Sequence, residues 1–125
     1  MQSEDFRLIK NMKNFIISLD ECIINFPKSE KVLKDSISKT SFEILENIYY
    51  ANLINDKELV QKQIVSKLSM LDFYFEVALK KKYISEKKCN HYCSAILMLS
   101  KMTYGWIKNG WFKYLRYTLC LREWN

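Results

Sequence analysis

A chain of 125 residues, 49% of them apolar, has the size of one domain and enough apolar surface to bury a core, which excludes a disordered polymer. Its net charge of +6 is unevenly spread: residues 1–55 hold seven basic and eight acidic side chains, residues 56–125 thirteen and six. No apolar run approaches the roughly 18 residues of a membrane span, and the acidic start Met1-Gln2-Ser3-Glu4-Asp5 lacks the layout of a signal peptide, so the expected setting is the cytoplasm with no membrane partner. One proline and two glycines leave little means of making hairpins, so the chain is expected to be all helix. In the first helix, about Glu4 to Asn25, Ile9, Met12, Ile16, Leu19 and Ile23 step by three and four along one face. Pro27 ends it, because the residue before a proline avoids helical geometry, and Ser29 is the expected cap of the second helix, with Glu30 complementing its dipole.

The second helix buries Leu33, Ile37, Ile44 and Ile48, and carries a further apolar stripe in Phe42, Leu45 and Tyr49. Two stripes on one helix point to a packing surface beyond the monomer core. With Trp106 and Trp111, these three residues are the expected oligomer contacts. Asn55-Asp56-Lys57-Glu58 reads as a capping box. It opens a third helix with Val60, Ile64, Leu68, Leu71, Phe75 and Ala78 in register, running out in Lys80-Lys81-Lys82. Ser85 caps a fourth, which holds Tyr92, Ala95, Ile96, Leu99, Met102 and Trp106. Gly105 is expected to let Trp106 or another helix pack closely, and Gly110 to stop the helix.

Helices of about 22 residues, or about 33 Å, joined by short connections imply antiparallel neighbours. The expected fold is all-α: an antiparallel, up-down-up-down four-helix bundle over residues 1–109. Residues 110–125, aromatic and arginine-bearing, form an extension that covers the bundle or a neighbouring subunit, as a fifth helix or a strand-like arm.

Chemistry-bearing patterns are sparse. Two glycines five residues apart make no phosphate loop, and the lone His91 has no triad partner. Cys89 and Cys93 share a helix face, with His91 pointing elsewhere, and two ligands fall short of the four that structural zinc wants. With Cys22 and Cys120 they read as reduced thiols. Glu43 and Glu46, and Asp72 and Glu76, lack the Glu-x-x-His pairs of a di-metal bundle. The chain reads as a non-enzyme without metal, cofactor or small-molecule substrate.

The basic residues form two groups. Lys28, Lys31 and Lys34 adjoin the first connection, and Lys80, Lys81, Lys82, Lys87 and Lys88 the third; in an up-down bundle both connections lie at one pole. Lys101, Lys108, Lys113, Arg116 and Arg122 belong to the opposite half and the tail. This distribution suits a long polyanion held by phosphate contacts that position without reading sequence.

Several of these segments resemble a known family. Phe26-Pro27-Lys28-Ser29-Glu30, Leu45-Glu46 leading to Ala51-Asn52, Leu71, Tyr83-Ile84-Ser85, and Leu99 and Met102 before Gly105-Trp106-Ile107-Lys108 are similar in order and spacing to the accessory variability determinant (Avd) family of diversity-generating retroelements. The resemblance covers about residues 10–109. That family belongs to a wider four-helix-bundle group that includes proteins encoded in intervening sequences of 23S rRNA genes. The resemblance implies a homopentamer with a basic surface that associates with a reverse transcriptase and its template RNA or cDNA, supporting mutagenic cDNA synthesis without being the polymerase. Where the family's basic surface uses arginine this chain mostly uses lysine, and its aromatic tail runs past the usual ending. The alternative is an oligomeric protein-interaction bundle of the intervening-sequence type with no nucleic-acid role.

Overall fold

The computed structural model describes residues 3–118, with side chains for residues 6–108. Among the described residues all regular structure is helical: α1 (Ser3–Ile23), a single 3-10 turn (Lys28–Glu30), α2 (Lys31–Leu53), α3 (Glu58–Lys80) and α4 (Glu86–Thr118). Each helix packs on two others, α1 and α3 both lying against α2 and α4, with no close approach between α1 and α3 or between α2 and α4 among the described residues. No helix among them is long and apolar enough to cross a membrane.

The core follows from the three-and-four spacing of apolar positions. Met12 and Leu19 from α1, Ile37, Ile44 and Ile48 from α2, Ile64, Leu68, Leu71 and Phe75 from α3, and Ile96 and Leu99 from α4 are all buried in one cluster. Fully burying each such side chain contributes about 1.5–3 kcal/mol. Phe26 and Ile84, from the first and third connections, close that cluster at one end.

Polar ties between helices are few and local. The Tyr92 hydroxyl donates to the Ser18 carbonyl at 3.0 Å and lies 3.1 Å from the Ser18 hydroxyl, joining α4 to α1. The Tyr92 ring stacks on Phe75 at 5.1 Å and meets the edge of Phe15 at 6.0 Å. Lys67 of α3 donates to Asn47 of α2 at 2.7 Å and lies 4.0 Å from Glu43. The buried hydroxyls of Ser41 and Thr103 bond the carbonyls four residues back, each at 2.8 Å, which leaves neither orphaned.

Helix ends differ from expectation in three places. Ser29 does not cap α2; it lies within the 3-10 turn, and Glu30 is the N-cap residue, without a side-chain capping bond. The Asn55–Glu58 capping box does not form either, Lys57 being the N-cap residue of α3. Its ammonium instead donates to the Ala51 and Ile54 carbonyls, at 2.6 and 2.5 Å. A cation there satisfies orphan acceptors and faces the negative end of the α2 dipole. Ser85 does cap α4, accepting from the Lys88 amide at 3.1 Å.

The third difference is α4, which continues through Gly105 and Gly110 to Thr118, 33 residues in all. Neither glycine has positive φ, so neither forms the left-handed turn that stops a helix. Glycine in a helix costs about 1 kcal/mol relative to alanine but does not break it. Residues 110–118 therefore extend α4 rather than forming a separate helix or arm, and residues 119–125 lie outside the described set. Among the described residues no close packing exploits Gly105: a Cβ there would meet nothing within 4 Å.

Candidate nucleic-acid interface

The first and third connections meet. Glu30, entering α2, accepts a hydrogen bond from the Tyr83 hydroxyl at 2.7 Å and from the Lys81 ammonium at 3.3 Å. Beneath this contact the Tyr83 ring lies 5.7 Å from that of buried Phe26. The chain reaches this geometry through the end of α3. Lys82 adopts φ 62°, and the Lys82 and Tyr83 amides bond back to Leu79 and Ala78 at 3.0 and 2.9 Å. That Schellman arrangement turns the chain sharply and brings Tyr83 over the start of α2.

The two lysine groups expected at one pole are joined there. Lys28, Lys31, Lys80, Lys81, Lys82, Lys87 and Lys88 are exposed and Lys34 is half-buried. Two are engaged in ion pairs, Lys31 with Asp35 at 2.9 Å and Lys81 with Glu30. Lys28, Lys34, Lys80, Lys82, Lys87 and Lys88 have no ion pair among the described residues. The Glu30 carboxyl is held below its ordinary pKa, chiefly by the Tyr83 hydroxyl and then by Lys81, and the Tyr83 phenol is raised by the same bond. Asp35 raises Lys31 in turn, first through their hydrogen bond.

The remaining sequence-predicted basic residues lie on the second half of α4 or outside the described set. Lys101 and Lys108 are exposed on α4. Lys113 and Arg116 fall on the stretch of α4 whose side chains lie outside the described set, and Arg122 lies outside the described residues.

The expected oligomer contacts divide. Phe42 and Tyr49 are 52% and 41% exposed, and Leu45 is partly buried against the core. Trp106 is a correction: it is 5% exposed and belongs to the chain's own core, so its ring is not offered to another copy. Its position follows Leu99 by seven, which puts it on the buried face of α4. Trp111 lies among the residues whose side chains are not described. Sequence reasoning missed further exposed apolar residues beside this stripe. Phe6 and Ile17 of α1, Ile24 just past its end, and Leu53 of α2 are also exposed, and Lys13 of α1 sits 5.7 Å from the Tyr49 ring centroid, so the two stripes adjoin along the α1–α2 seam. The signal was the seven- and eleven-residue spacing of Phe6, Ile17 and Ile24, opposite the core face.

Cys22 and Cys89 are buried and Cys93 is partly buried, while Cys120 lies outside the described residues. Cys89 donates weakly to the Phe75 carbonyl at 3.6 Å and lies 3.9 Å from the Cys93 sulfur. Burial, and then a contact with Asp72, push the Cys93 thiol up to about 12, and burial raises Cys22 as well. His91 is exposed on another face, and no three His, Cys, Asp or Glu side chains group as a metal would require among the described residues. No protein-family model, no curated protein and no solved structure matches this chain.

Proposed function

We propose that the chain is a non-enzymatic scaffold that binds nucleic acid through the pole formed by its first and third connections. The carrying observation is the meeting of the two lysine-bearing connections at Glu30, which gathers cations from positions 28 to 34 and 80 to 88. Short connections support antiparallel neighbours, hence an up-down-up-down four-helix bundle. Lysines spread along helix ends suit the backbone of an extended polyanion better than one small anion, and their contacts are sequence-tolerant. The resemblance to the accessory variability determinant family gives this reading its biological form: a homopentameric partner of a reverse transcriptase and its template RNA or cDNA.

The test is the salt dependence of binding to a single-stranded RNA oligonucleotide. Each phosphate neutralised contributes about −0.7 to the slope of log K against log salt. If each lysine of the pole without an ion pair meets one phosphate, the slope is about −4. Charge reversal at Lys80 and Lys82 is expected to weaken binding at least about tenfold at low salt without loss of helical signal. Affinity independent of salt, or unchanged by the reversal, removes this reading.

The exposed seam of Phe6, Ile17, Ile24, Phe42, Tyr49 and Leu53 favours a second reading, an oligomeric protein-interaction bundle. A solution mass at a multiple of 15.1 kDa together with no RNA binding at low salt is its signature.

A further inference from the structure

The binding pole contains an acidic residue at its centre. Glu30 lies between lysine groups, where simple charge accumulation would favour no carboxylate, and it takes Lys81 out of circulation through a 3.3 Å ion pair. In return it accepts from the Tyr83 hydroxyl at 2.7 Å, across 53 residues of sequence, from the connection that carries Lys80 to Lys88. The two connections have few other ties: the Phe26–Tyr83 ring contact at 5.7 Å and the buried apolar plug of Phe26 and Ile84.

We propose that Glu30 and Tyr83 are positioning residues of the polyanion site, a clasp that holds the lysines of the first connection in fixed register with those of the third. The inference rests on the reading of this pole as the nucleic-acid interface. Its physical basis is pre-organisation. Lysines on two connections engage successive phosphates of one strand only if their separation is held, and a clasp made before binding spares the ligand the cost of ordering them. Tyr83 suits this task because its ring is anchored on Phe26 while its hydroxyl reaches the surface. Glu30 suits it because its backbone begins α2, which fixes the carboxylate relative to Lys28, Lys31 and Lys34.

Charge and position make different predictions for Tyr83→Phe, while for Glu30→Gln they agree and the variant controls for charge alone. Tyr83→Phe removes the hydroxyl bond, keeps the ring and leaves net charge unchanged. Glu30→Gln removes the negative charge but keeps an oxygen able to accept from Tyr83. If the pole acts only as accumulated charge, Tyr83→Phe matches wild type. If the clasp positions the lysines, Tyr83→Phe binds about three- to tenfold more weakly, with a salt slope shallower by about one. Glu30→Gln then binds at least as tightly as wild type. The slope is the readout that general destabilisation does not move, provided the far-ultraviolet dichroism of the variant equals that of wild type.

The experiment titrates full-length wild type, Tyr83→Phe, Glu30→Gln and the Lys80→Glu, Lys82→Glu double variant with a fluorescent single-stranded RNA oligonucleotide at four salt concentrations. Weak, shallow binding by Tyr83→Phe beside strong binding by Glu30→Gln supports the clasp. Wild-type affinity and slope in Tyr83→Phe, with the lysine reversal still weakening binding, overturns the clasp and leaves the pole standing. Absent wild-type binding, or a lysine reversal without effect, overturns the pole and the clasp together.

Discussion

Lys82 is the one described non-glycine residue with positive φ, and it pays a steric penalty that glycine would not. Its left-handed conformation completes the Schellman turn that delivers Tyr83 to Glu30. Lys82→Gly is therefore expected to raise unfolding stability by about 1 kcal/mol, read as a higher midpoint in urea. Titration gives a second residue-scale expectation. The thiols of Cys22 and Cys93 and the phenols of Tyr83 and Tyr92 are all raised, so the native state holds these protons more tightly than the unfolded chain. Their contribution is complete below the unfolded values, about 8.5 for thiols and about 10 for phenols, and is lost as pH rises through the folded ones. Glu30 is lowered, so its contribution holds above about 4.3 and is lost as pH falls through its folded value. Thermal melts are expected to show a plateau from about pH 5 to 8 with a fall on both sides. A midpoint still rising from pH 8 to 11 would contradict these assignments. With its thiol at about 12, Cys93 is also expected to alkylate far more slowly in the native protein at pH 8 than in urea.

At the scale of the helix, what was legible depended on how local the cause was. The core faces of α1 and α3 follow from spacing alone: Ile9, Met12, Ile16, Leu19 and Ile23, and Val60, Ile64, Leu68, Leu71, Phe75 and Ala78, are buried as their periodicity requires. Boundaries were less legible because several groups compete to satisfy a helix end. A 3-10 turn displaced the Ser29 cap, and the Lys57 ammonium serves the end of α2, which residue type at positions 55–58 does not disclose. Trp106 was misassigned because a large aromatic suits an interface or a core equally well, and the seven-residue step from Leu99 decides for the core. Gly110 was expected to stop the helix, yet a glycine permits a turn without requiring one, and α4 runs through it as through Gly105. Gly105→Ala follows as an element-scale prediction. With open space at its Cβ, it is expected to stabilise the protein by about 0.5–1 kcal/mol through helix propensity. Destabilisation in a denaturant melt would show that something packs against this position.

For the whole molecule, short links were expected to alternate helix direction and set the first and third connections side by side, and the Glu30–Tyr83 bond does bring those two connections together. That bond itself was not foreseeable, because it depends on a lateral contact between residues 53 apart. Charge made the lysines visible, but only the fold shows which of them are engaged in ion pairs. The molecule thus carries a basic pole around the first and third connections and an exposed apolar seam along α1 and α2. Under the function proposed above, the first surface would hold the polyanion and the second would carry assembly. The most direct test of the basic pole is lysine footprinting by mass spectrometry, with acetylation rates compared with and without a saturating single-stranded RNA oligonucleotide at low salt. Protection is expected at Lys28, Lys34, Lys80, Lys82, Lys87 and Lys88, with Lys10 and Lys62 unchanged. Protection concentrated at Lys10 and Lys62, or none at the pole under conditions where RNA is bound, would contradict it.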